Sequence, residues 1–294
     1  MVRPCGRRGR PSGRDMTVPS TASASEPDLF DVLELEEIDR DLYRSTLVFP
    51  DPYPLYGGQV AAQALLAAGR TVPADRLPHS LHGYFLRSGD AQRPTVFRVD
   101  RDRDGRSYSA RRVVAVQGGE VVFSMSASFS VADEGPDLVA SPPPEVQPPD
   151  ELSSYEVPRL FSMEGRLPEQ PLDVARHWPT RFWARSRLSL PDDPLVHASV
   201  LTYLSDIGTG LSAFPQEGAS PGPSLDHALW FHRPVRLDEW VLMDLVPRSV
   251  ARGRGWYTGE VLAADGTLAA SFTQEALFRP GPNPFRKQVD TPAR

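Results

Sequence analysis

The sequence predicts an α+β fold built from two β-α-β-β-β-β repeats in tandem, each with a long helix packed on a curved antiparallel sheet. Two helical segments begin near residues 57 and 194, and each is preceded by one strand-like run and followed by four. Turn-forming pairs such as Asp104-Gly105 and Gly118-Gly119 separate the strand-like runs of the first half. A shift of about 146 residues lays residues 84–87 over residues 230–233, so the spacing of the two halves indicates an internal repeat.

Changes in composition divide the chain into five segments. Residues 1–27 are rich first in Arg and then in Ser, Thr and Ala, without the apolar core of a secretory signal, so we expect a disordered tail. Within this tail, residues 8–11 resemble an AT-hook, a DNA-binding motif, and Met16 is an alternative first residue. The other segments are a first repeat at 28–132, a Pro-rich connection at 133–180, a second repeat at 181–280 and a flexible tail at 281–294.

The first repeat is predicted to begin with a short helix over residues 30–38 and a strand over residues 43–49. Gly57 and Gly58 then open a helix of small and apolar residues that can be buried nearly all round. Four strands are predicted to follow this helix, at residues 77–86, 95–103, 107–116 and 121–131.

Prolines are so frequent between residues 132 and 179 that this segment is predicted to lack regular strand pairing. The second repeat starts with a strand at residues 181–189. Asp193 and Pro194 favour a helix start, because Asp accepts a hydrogen bond at the N-cap and Pro gives up an amide that lacks a partner anyway. Four strands are predicted to follow, at residues 225–233, 240–247, 255–262 and 267–278.

The composition excludes several classes of protein. The 294 residues are 40% hydrophobic but contain no apolar run near the length of a membrane span. The net charge of −6 does not favour nucleic acid as the main partner. Cys5 is the only cysteine, and no histidine spacing suits a metal, so neither a disulfide nor a metal site is expected. A cytoplasmic protein fits these observations, and the exposed edges of the predicted sheet favour a homo-oligomer.

Two polar residues interrupt apolar patterns. Asp206 lies at the flank of the apolar stripe of the second helix, where desolvation raises the pKa of a carboxyl group and suits it to act as a general base. The alternative is a simple role in the last turn of that helix. Gln274 shares a strand face with apolar residues, so its amide must bind either a structural group or a ligand.

Six blocks of the sequence occur together in a fixed order. They are YGGQVAAQAL from Tyr56, LHGYFLRSGD from Leu81, DGRSYSARRVVAVQGG from Asp104, LTYLSD ending at Asp206, SLDHALWFHRP from Ser224 and SFTQEALFR around Gln274. In this order they resemble the acyl-CoA thioesterase II family, over residues 30–279 outside the Pro-rich connection. The resemblance implies a tandem (double) hotdog fold and the hydrolysis of acyl-CoA to a free carboxylic acid and coenzyme A, without a cofactor.

The resemblance also implies three catalytic residues. In the family, an aspartate on the second helix, a threonine before the following strand and a glutamine on the last strand hold the attacking water. These positions are Asp206, Ser224 and Gln274 here, and Ser224 keeps the hydroxyl of the usual threonine. We hypothesise that Asp206 is the general base and that Ser224 and Gln274 orient the water.

Further contacts with the substrate are predicted from charge. The backbone amides of Gly58 and Gln59 lie at a helix N-terminus, which favours an oxyanion, although close packing explains the glycine pair equally well. Arg87 and Arg111 are predicted to meet the phosphates of coenzyme A, because a guanidinium group binds phosphate well. Either arginine could equally lie on a solvated face.

Other features of the sequence suggest different functions. Residues 218–222 match the G-x-S-x-G motif of serine hydrolases, but Pro221 follows the serine and lacks the amide hydrogen that the oxyanion hole needs. His227 is interpreted as a buried histidine held by backbone groups. Two alternatives stay open. One is an enoyl-CoA hydratase of the same fold, which needs a histidine and a carboxylate at the acyl carbon, and the other is a non-catalytic acyl-CoA sensor that uses its basic tail on DNA.

Overall fold

The computed structural model of the protein describes residues 27–51, 53–172, 178–214 and 219–280. Apart from Pro27, the two predicted tails, including the AT-hook-like residues 8–11 and Cys5, lie outside the described residues. The α-helices in the described ranges are α1 (Leu29–Leu33), α2 (Gly57–Gly69) and α3 (Pro194–Ser205), and 3₁₀ helices span Pro149–Glu151 and Thr209–Leu211. Within these ranges, no helix is long and apolar enough to span a membrane.

The strands form one antiparallel sheet that runs through both halves of the chain. In chain order they are β1 (Leu35–Asp39), β2 (Leu42–Ser45), β3 (Arg76–Phe85), β4 (Val96–Asp104), β5 (Tyr108–Gln117), β6 (Glu120–Val131), β7 (Ser154–Tyr155), β8 (Met163–Arg166), β9 (Arg181–Ser186), β10 (Ala219–Ser224), β11 (Asp226–Phe231), β12 (Val241–Ala251), β13 (Arg254–Ala263) and β14 (Leu268–Pro280). Their order across the sheet is β1-β2-β4-β5-β6-β3-β11-β14-β13-β12-β9-β8-β7, and β10 pairs with β14. Strands β3 and β11 join the two halves, with His82 opposite Ala228.

The helices α2 and α3 lie against each other and bring two helix ends together. Helix α2 packs against strands β2 to β6, and its residues from Gly58 to Gly69 are buried, as its small and apolar composition predicts. Helix α3 begins as predicted, because Asp193 accepts a hydrogen bond from the Leu195 amide at 2.9 Å. A Cβ atom on Gly58 would lie 2.5 Å from the Tyr203 carbonyl oxygen, so only glycine permits this approach of α2 to the end of α3.

Two local predictions are wrong, and one strand was not predicted. The Pro-rich connection does contain regular pairing, because β7 pairs with β8 and β8 with β9 in stretches that the prolines flank but do not enter. Residues 35–39 form strand β1 of a hairpin with β2, and not the second half of a helix. Strand β10 was not predicted, since Pro221 and Pro223 disfavour a strand. It pairs with β14 alone among the described strands, a position in which proline is tolerated.

Candidate active site

Asp206 lies where the C-terminus of α3 meets the N-terminus of α2. It is the C-cap residue of α3 and is only 5% exposed. Burial raises the pKa of Asp206 to about 6, and hydrogen bonds from Ser224, Gln274 and the Gly58 amide offset this effect only in part. A carboxyl group with this pKa is largely ionised at neutral pH and still basic enough to accept a proton, which suits a general base.

Ser224 and Gln274 reach Asp206 from two neighbouring strands. Ser224 ends β10, and its hydroxyl donates a hydrogen bond to Oδ1 of Asp206 at 3.0 Å. Gln274 is completely buried on the inner face of β14, as the alternation of that strand predicts. Its Nε2 lies 2.5 Å from Oδ1 of Asp206 and also donates to Oγ of Ser224. The fold therefore brings together the three residues to which the sequence assigns the chemistry.

A cavity of about 400 Å³ opens onto Asp206 and Ser224. Its walls include the backbone of Gly57 and apolar side chains from both halves of the chain, among them Leu55, Phe85, Ile207, Leu225 and Leu277. Arg87 and Arg159 add positive charge to the same walls. The combination of an apolar wall, a buried carboxylate and a few polar groups is typical of a small-molecule site.

Arg159 is a residue that the sequence did not single out, because it falls in the Pro-rich connection. Its guanidinium group pairs with Asp51 at 2.9 Å, donates to the Pro54 carbonyl and lies 5.0 Å from the centre of the Tyr53 ring. The positive charge of Arg159 is one of the influences that lower the pKa of Asp206 against the effect of burial. No pattern in the sequence distinguishes it from the other arginines of the chain.

Tyr257 and His227 lie behind Gln274 and contact the oxygen of its amide. The Tyr257 hydroxyl donates to Oε1 of Gln274 at 2.6 Å, and His227 Nδ1 lies 3.2 Å from the same atom. His227 Nε2 lies 2.7 Å from Oγ of Ser205. His227 is buried as predicted, but side chains hold it and not backbone groups. Alternation in β13 marks Tyr257 only as a core residue, so no pattern in the sequence predicts its contact with Gln274.

Of the four residues predicted to contact the substrate, Gly58, Gln59 and Arg111 are engaged within the protein, and Arg87 lines the cavity. The Gly58 amide bonds to Asp206, and the Gln59 amide donates to the Tyr56 carbonyl at 3.2 Å, so neither N–H points to an oxyanion in the cavity. Arg87 lines the cavity and pairs with Glu120 at 2.9 Å. Arg111 does not fit a phosphate contact, because its side chain is buried in the first half of the fold. Its donors bond to Thr71, Arg103, Asp104 and Ala110.

The described residues form neither a nucleophile elbow nor a metal-binding group. Ser220 of the G-x-S-x-G match lies inside strand β10, whereas a nucleophile elbow needs the turn between a strand and a helix. Among the residues that the structure describes, no three His, Cys, Asp or Glu side chains are grouped so that they could hold a metal ion.

Two family models match the chain, with the descriptions acyl-CoA thioesterase N-terminal domain, over residues 49–130, and acyl-CoA thioesterase C-terminal domain, over residues 133–278. The chain is 34% identical to acyl-coenzyme A thioesterase 8 from Homo sapiens over 309 aligned residues, which cover 95% of this chain and 94% of that protein.

Solved structures give the same result. An acyl-CoA thioesterase II, TesB2, from Mycobacterium marinum is 40% identical with a TM-score of 0.73, covering 85% of this chain and 98% of that one. A protein with a hot dog fold from Alicyclobacillus acidocaldarius is 21% identical with a TM-score of 0.70, covering 86% of this chain and 98% of that one. The second likeness concerns the fold alone, and it confirms the prediction of a hotdog fold.

Proposed function

Because the chain belongs to the acyl-CoA thioesterase II family and is a thioester hydrolase, we propose that Asp206 activates the attacking water while Ser224 and Gln274 orient it. The observation that carries this proposal is the buried Asp206 carboxylate at the cavity wall, with its pKa raised to about 6 and with Ser224 and Gln274 bonded to it. A carboxylate in this position can accept a proton from water, and the carboxylic acid that forms is weak enough to keep that proton until the leaving group needs it.

The reaction that we propose has two steps. Asp206 accepts a proton from the water while the water oxygen attacks the thioester carbonyl carbon, and this attack forms a tetrahedral intermediate. The carbon–sulfur bond then breaks, and the proton on Asp206 passes to the leaving thiolate. The products are a carboxylic acid and coenzyme A with a free thiol, and Asp206 returns to its ionised form.

Stabilisation of the oxyanion is proposed to come from the N-terminal end of α2 as a whole. The individual amides of Gly58 and Gln59 are already engaged, but the backbone of Gly57 lines the cavity at this positively polarised end of the helix. The same field also favours the ionised form of Asp206, which must be negative when the water approaches.

The substrate is proposed to lie with its acyl group along the apolar walls and its coenzyme A moiety near Arg87. The side chain of Arg87 is 53% exposed at the cavity, so its guanidinium group is accessible to a phosphate despite the pair with Glu120. The apolar residues Phe85, Leu225 and Leu277 offer the surface that an acyl chain would bury.

The two alternatives receive less support. A hydratase would need a histidine at the acyl carbon, but His227 is completely buried and does not line the cavity with Asp206. The sensor hypothesis depends on residues 8–11, which lie outside the described part of the chain.

The test of the proposed function is thiol release from a panel of acyl-CoA thioesters of short to long chain. We expect release by the wild type, a loss of about a thousandfold or more in kcat for Asp206→Asn, and normal activity for Asp193→Asn. The second variant is a matched control, because it makes the same change at the other end of α3 and Asn is an equally good N-cap. Wild-type turnover by Asp206→Asn would refute the assignment of the base.

We also propose that the protein is a cytoplasmic homo-oligomer. The outer face of the sheet exposes large aromatic side chains, with Tyr84 at 63%, Trp256 at 42% and Trp230 at 37%, and a second copy could cover them. Light scattering coupled to gel filtration tests the assembly, and fractionation of the native host tests the location.

A further inference from the structure

We propose that Tyr257 and His227 are positioning residues that hold the Gln274 amide with its NH₂ group directed to Asp206 and Ser224. This inference rests on the proposed roles of those three residues and extends them to a layer behind the cavity. Both Tyr257 and His227 are completely buried, and neither lines the cavity, so they can act on the reaction only through Gln274.

Tyr257 directs its single hydroxyl hydrogen to Gln274. The Gly208 amide donates a hydrogen bond to the phenol oxygen of Tyr257. The Tyr257 hydroxyl in turn donates its hydrogen to Oε1 of Gln274, which lies 2.6 Å from the phenol oxygen. An amide oxygen can only accept, and burial raises the pKa of Tyr257 well above its usual value, so the phenol stays a neutral donor. Tyr257 therefore favours an oxygen, and not an NH₂ group, at this position.

His227 favours the same orientation from a second direction. Burial lowers the pKa of His227 to about 4, so the ring is neutral at pH 7 and carries one N–H hydrogen. Since Nδ1 faces the oxygen of Gln274 at 3.2 Å, that hydrogen lies on Nδ1. Nε2 is then an acceptor. The Ser205 hydroxyl lies 2.7 Å from Nε2 and 3.1 Å from the Thr202 carbonyl oxygen, so it can donate its one hydrogen to Nε2 over the shorter distance.

Rotation of the Gln274 amide by a half turn would break contacts at both ends. Its oxygen would then face the Asp206 carboxylate and lose two hydrogen bonds to Asp206 and Ser224, and two acceptors would lie against each other. At the other end, the NH₂ group would meet the Tyr257 O–H and the His227 Nδ1–H, which are donors. The two residues therefore set which end of the amide meets the water-binding groups.

Packing alone is the competing explanation for Tyr257. A Cβ atom on Gly210 would lie 2.2 Å from the Tyr257 ring, and Phe272 packs edge-on against the same ring, so the ring fills space whether or not its hydroxyl matters. Tyr257→Phe keeps the ring and removes only the hydroxyl. We expect this variant to lower kcat by about tenfold with little change in KM, the loss that one hydrogen bond can cause.

Tyr203→Phe is the matched control for this change. The Tyr203 ring is as deeply buried, and its hydroxyl accepts the Phe161 amide at 3.0 Å, so its loss also leaves one backbone N–H without its acceptor. The Tyr203 hydroxyl does not bond to Gln274. We therefore expect Tyr203→Phe to have the kcat of the wild type at temperatures below its unfolding temperature. Equal losses of kcat in the two variants would reduce Tyr257 to a packing residue and overturn the inference.

A double variant separates this inference from the proposed function. In a Gln274→Ala background, Tyr257→Phe should cause no further loss of kcat, because the group through which it acts is gone. An additive loss would overturn the inference while leaving the role of Gln274 intact. Wild-type kcat in Gln274→Ala itself would instead refute the role of Gln274 in the proposed function.

Two substitutions of His227 test the second contact and remain informative if Tyr257→Phe folds poorly. The side-chain nitrogen of Asn takes the place of Nδ1, and that of Gln takes the place of Nε2. We therefore expect His227→Asn to keep the donor to Gln274 and to retain about tenfold more kcat than His227→Gln, which keeps only the contact with Ser205. The reverse order, or equal values, would contradict the inference.

Discussion

Gly57 lies so close to Asp206 that a Cβ atom on the glycine would come within 2.5 Å of Oδ2 of the carboxylate. The same Cβ would lie 2.7 Å from the Phe85 ring, so the side chain has no free direction in which to move. We predict that Gly57→Ala displaces Asp206 and lowers kcat by about a hundredfold, since a shift of about 1 Å in a catalytic group has this effect. Steady-state thiol release measures the change.

Gly69→Ala, at the other end of α2, is the control for this substitution. A Cβ atom there would meet the end of the flexible Leu195 side chain, which can rotate away. Alanine is also the better helix former by about 1 kcal/mol, so this variant should be as stable as the wild type and fully active. Equal activity of the two alanine variants would show that Gly57 does not set the position of Asp206.

The pH dependence of kcat/KM should report the ionisation of Asp206. Its pKa of about 6 predicts a rate that is constant above that pH and falls about tenfold for each pH unit below it, because only the ionised carboxylate can accept the proton. The fall in kcat/KM below pH 6 should persist in His227→Asn, since the pKa of His227 is lowered to about 4 and its titration lies outside this range. If this fall disappears in His227→Asn, the titration belongs to the histidine and not to Asp206.

The same carboxylate should make the protein less stable as the pH rises. The pKa of Asp206 is about 6 in the folded protein against 3.8 for an ordinary aspartate, so the folded state binds this proton more tightly. The resulting stabilisation is complete below pH 3.8 and is lost as the pH rises through 6. A difference of about two pH units corresponds to about 3 kcal/mol.

Urea unfolding of the wild type and of Asp206→Asn at pH 4 and pH 7.5 tests this loss. The free energy of unfolding of the wild type, relative to the variant, should fall by about 2.4 kcal/mol over that range, because a small part of the stabilisation is already lost at pH 4. A difference that does not change with pH would mean that Asp206 titrates normally in the folded protein.

The sequence predicted the parts of the site that follow from periodicity, and it missed the parts that depend on contacts across the sheet. The alternation of β14 placed Gln274 inside, and the helical stripe placed Asp206 at its edge, because both patterns are local. Tyr257 and His227 look like ordinary core residues in their own strands, and only the pairing of β13 and β11 with β14 brings them to Gln274. Arg159 lies between prolines, in a segment without any period.

Ser224 should be replaceable by threonine but not by alanine. Its hydroxyl donates to Oδ1 of Asp206 at 3.0 Å and accepts from Gln274, and threonine retains both bonds. We predict that Ser224→Thr keeps kcat within about twofold, while Ser224→Ala loses about tenfold or more. Thiol release at saturating substrate distinguishes the two, and full activity of Ser224→Ala would remove the hydroxyl from the mechanism.

Arg87 and Arg111 received the same prediction from the sequence, and the structure predicts opposite phenotypes for them. Arg87 is exposed at the cavity, so Arg87→Gln should raise KM several-fold with little change in kcat, and the effect should shrink as salt screens the phosphate charge. Arg111 is buried among its own hydrogen bonds. Arg111→Gln should lower the free energy of unfolding by about 3 kcal/mol, because it leaves buried partners without a donor.

Each arginine is the control for the other in this comparison. Measured well below the unfolding temperature, Arg111→Gln should have normal KM and kcat. Arg87→Gln should unfold like the wild type, because the bonds of Arg87 to Glu120 and to the Val121 carbonyl are both exposed to solvent. A raised KM in Arg111→Gln with unchanged stability would restore it as a phosphate contact. In that case the guanidinium group would have to leave Thr71 and Asp104 when the substrate binds, which requires a rearrangement of β4 and β5.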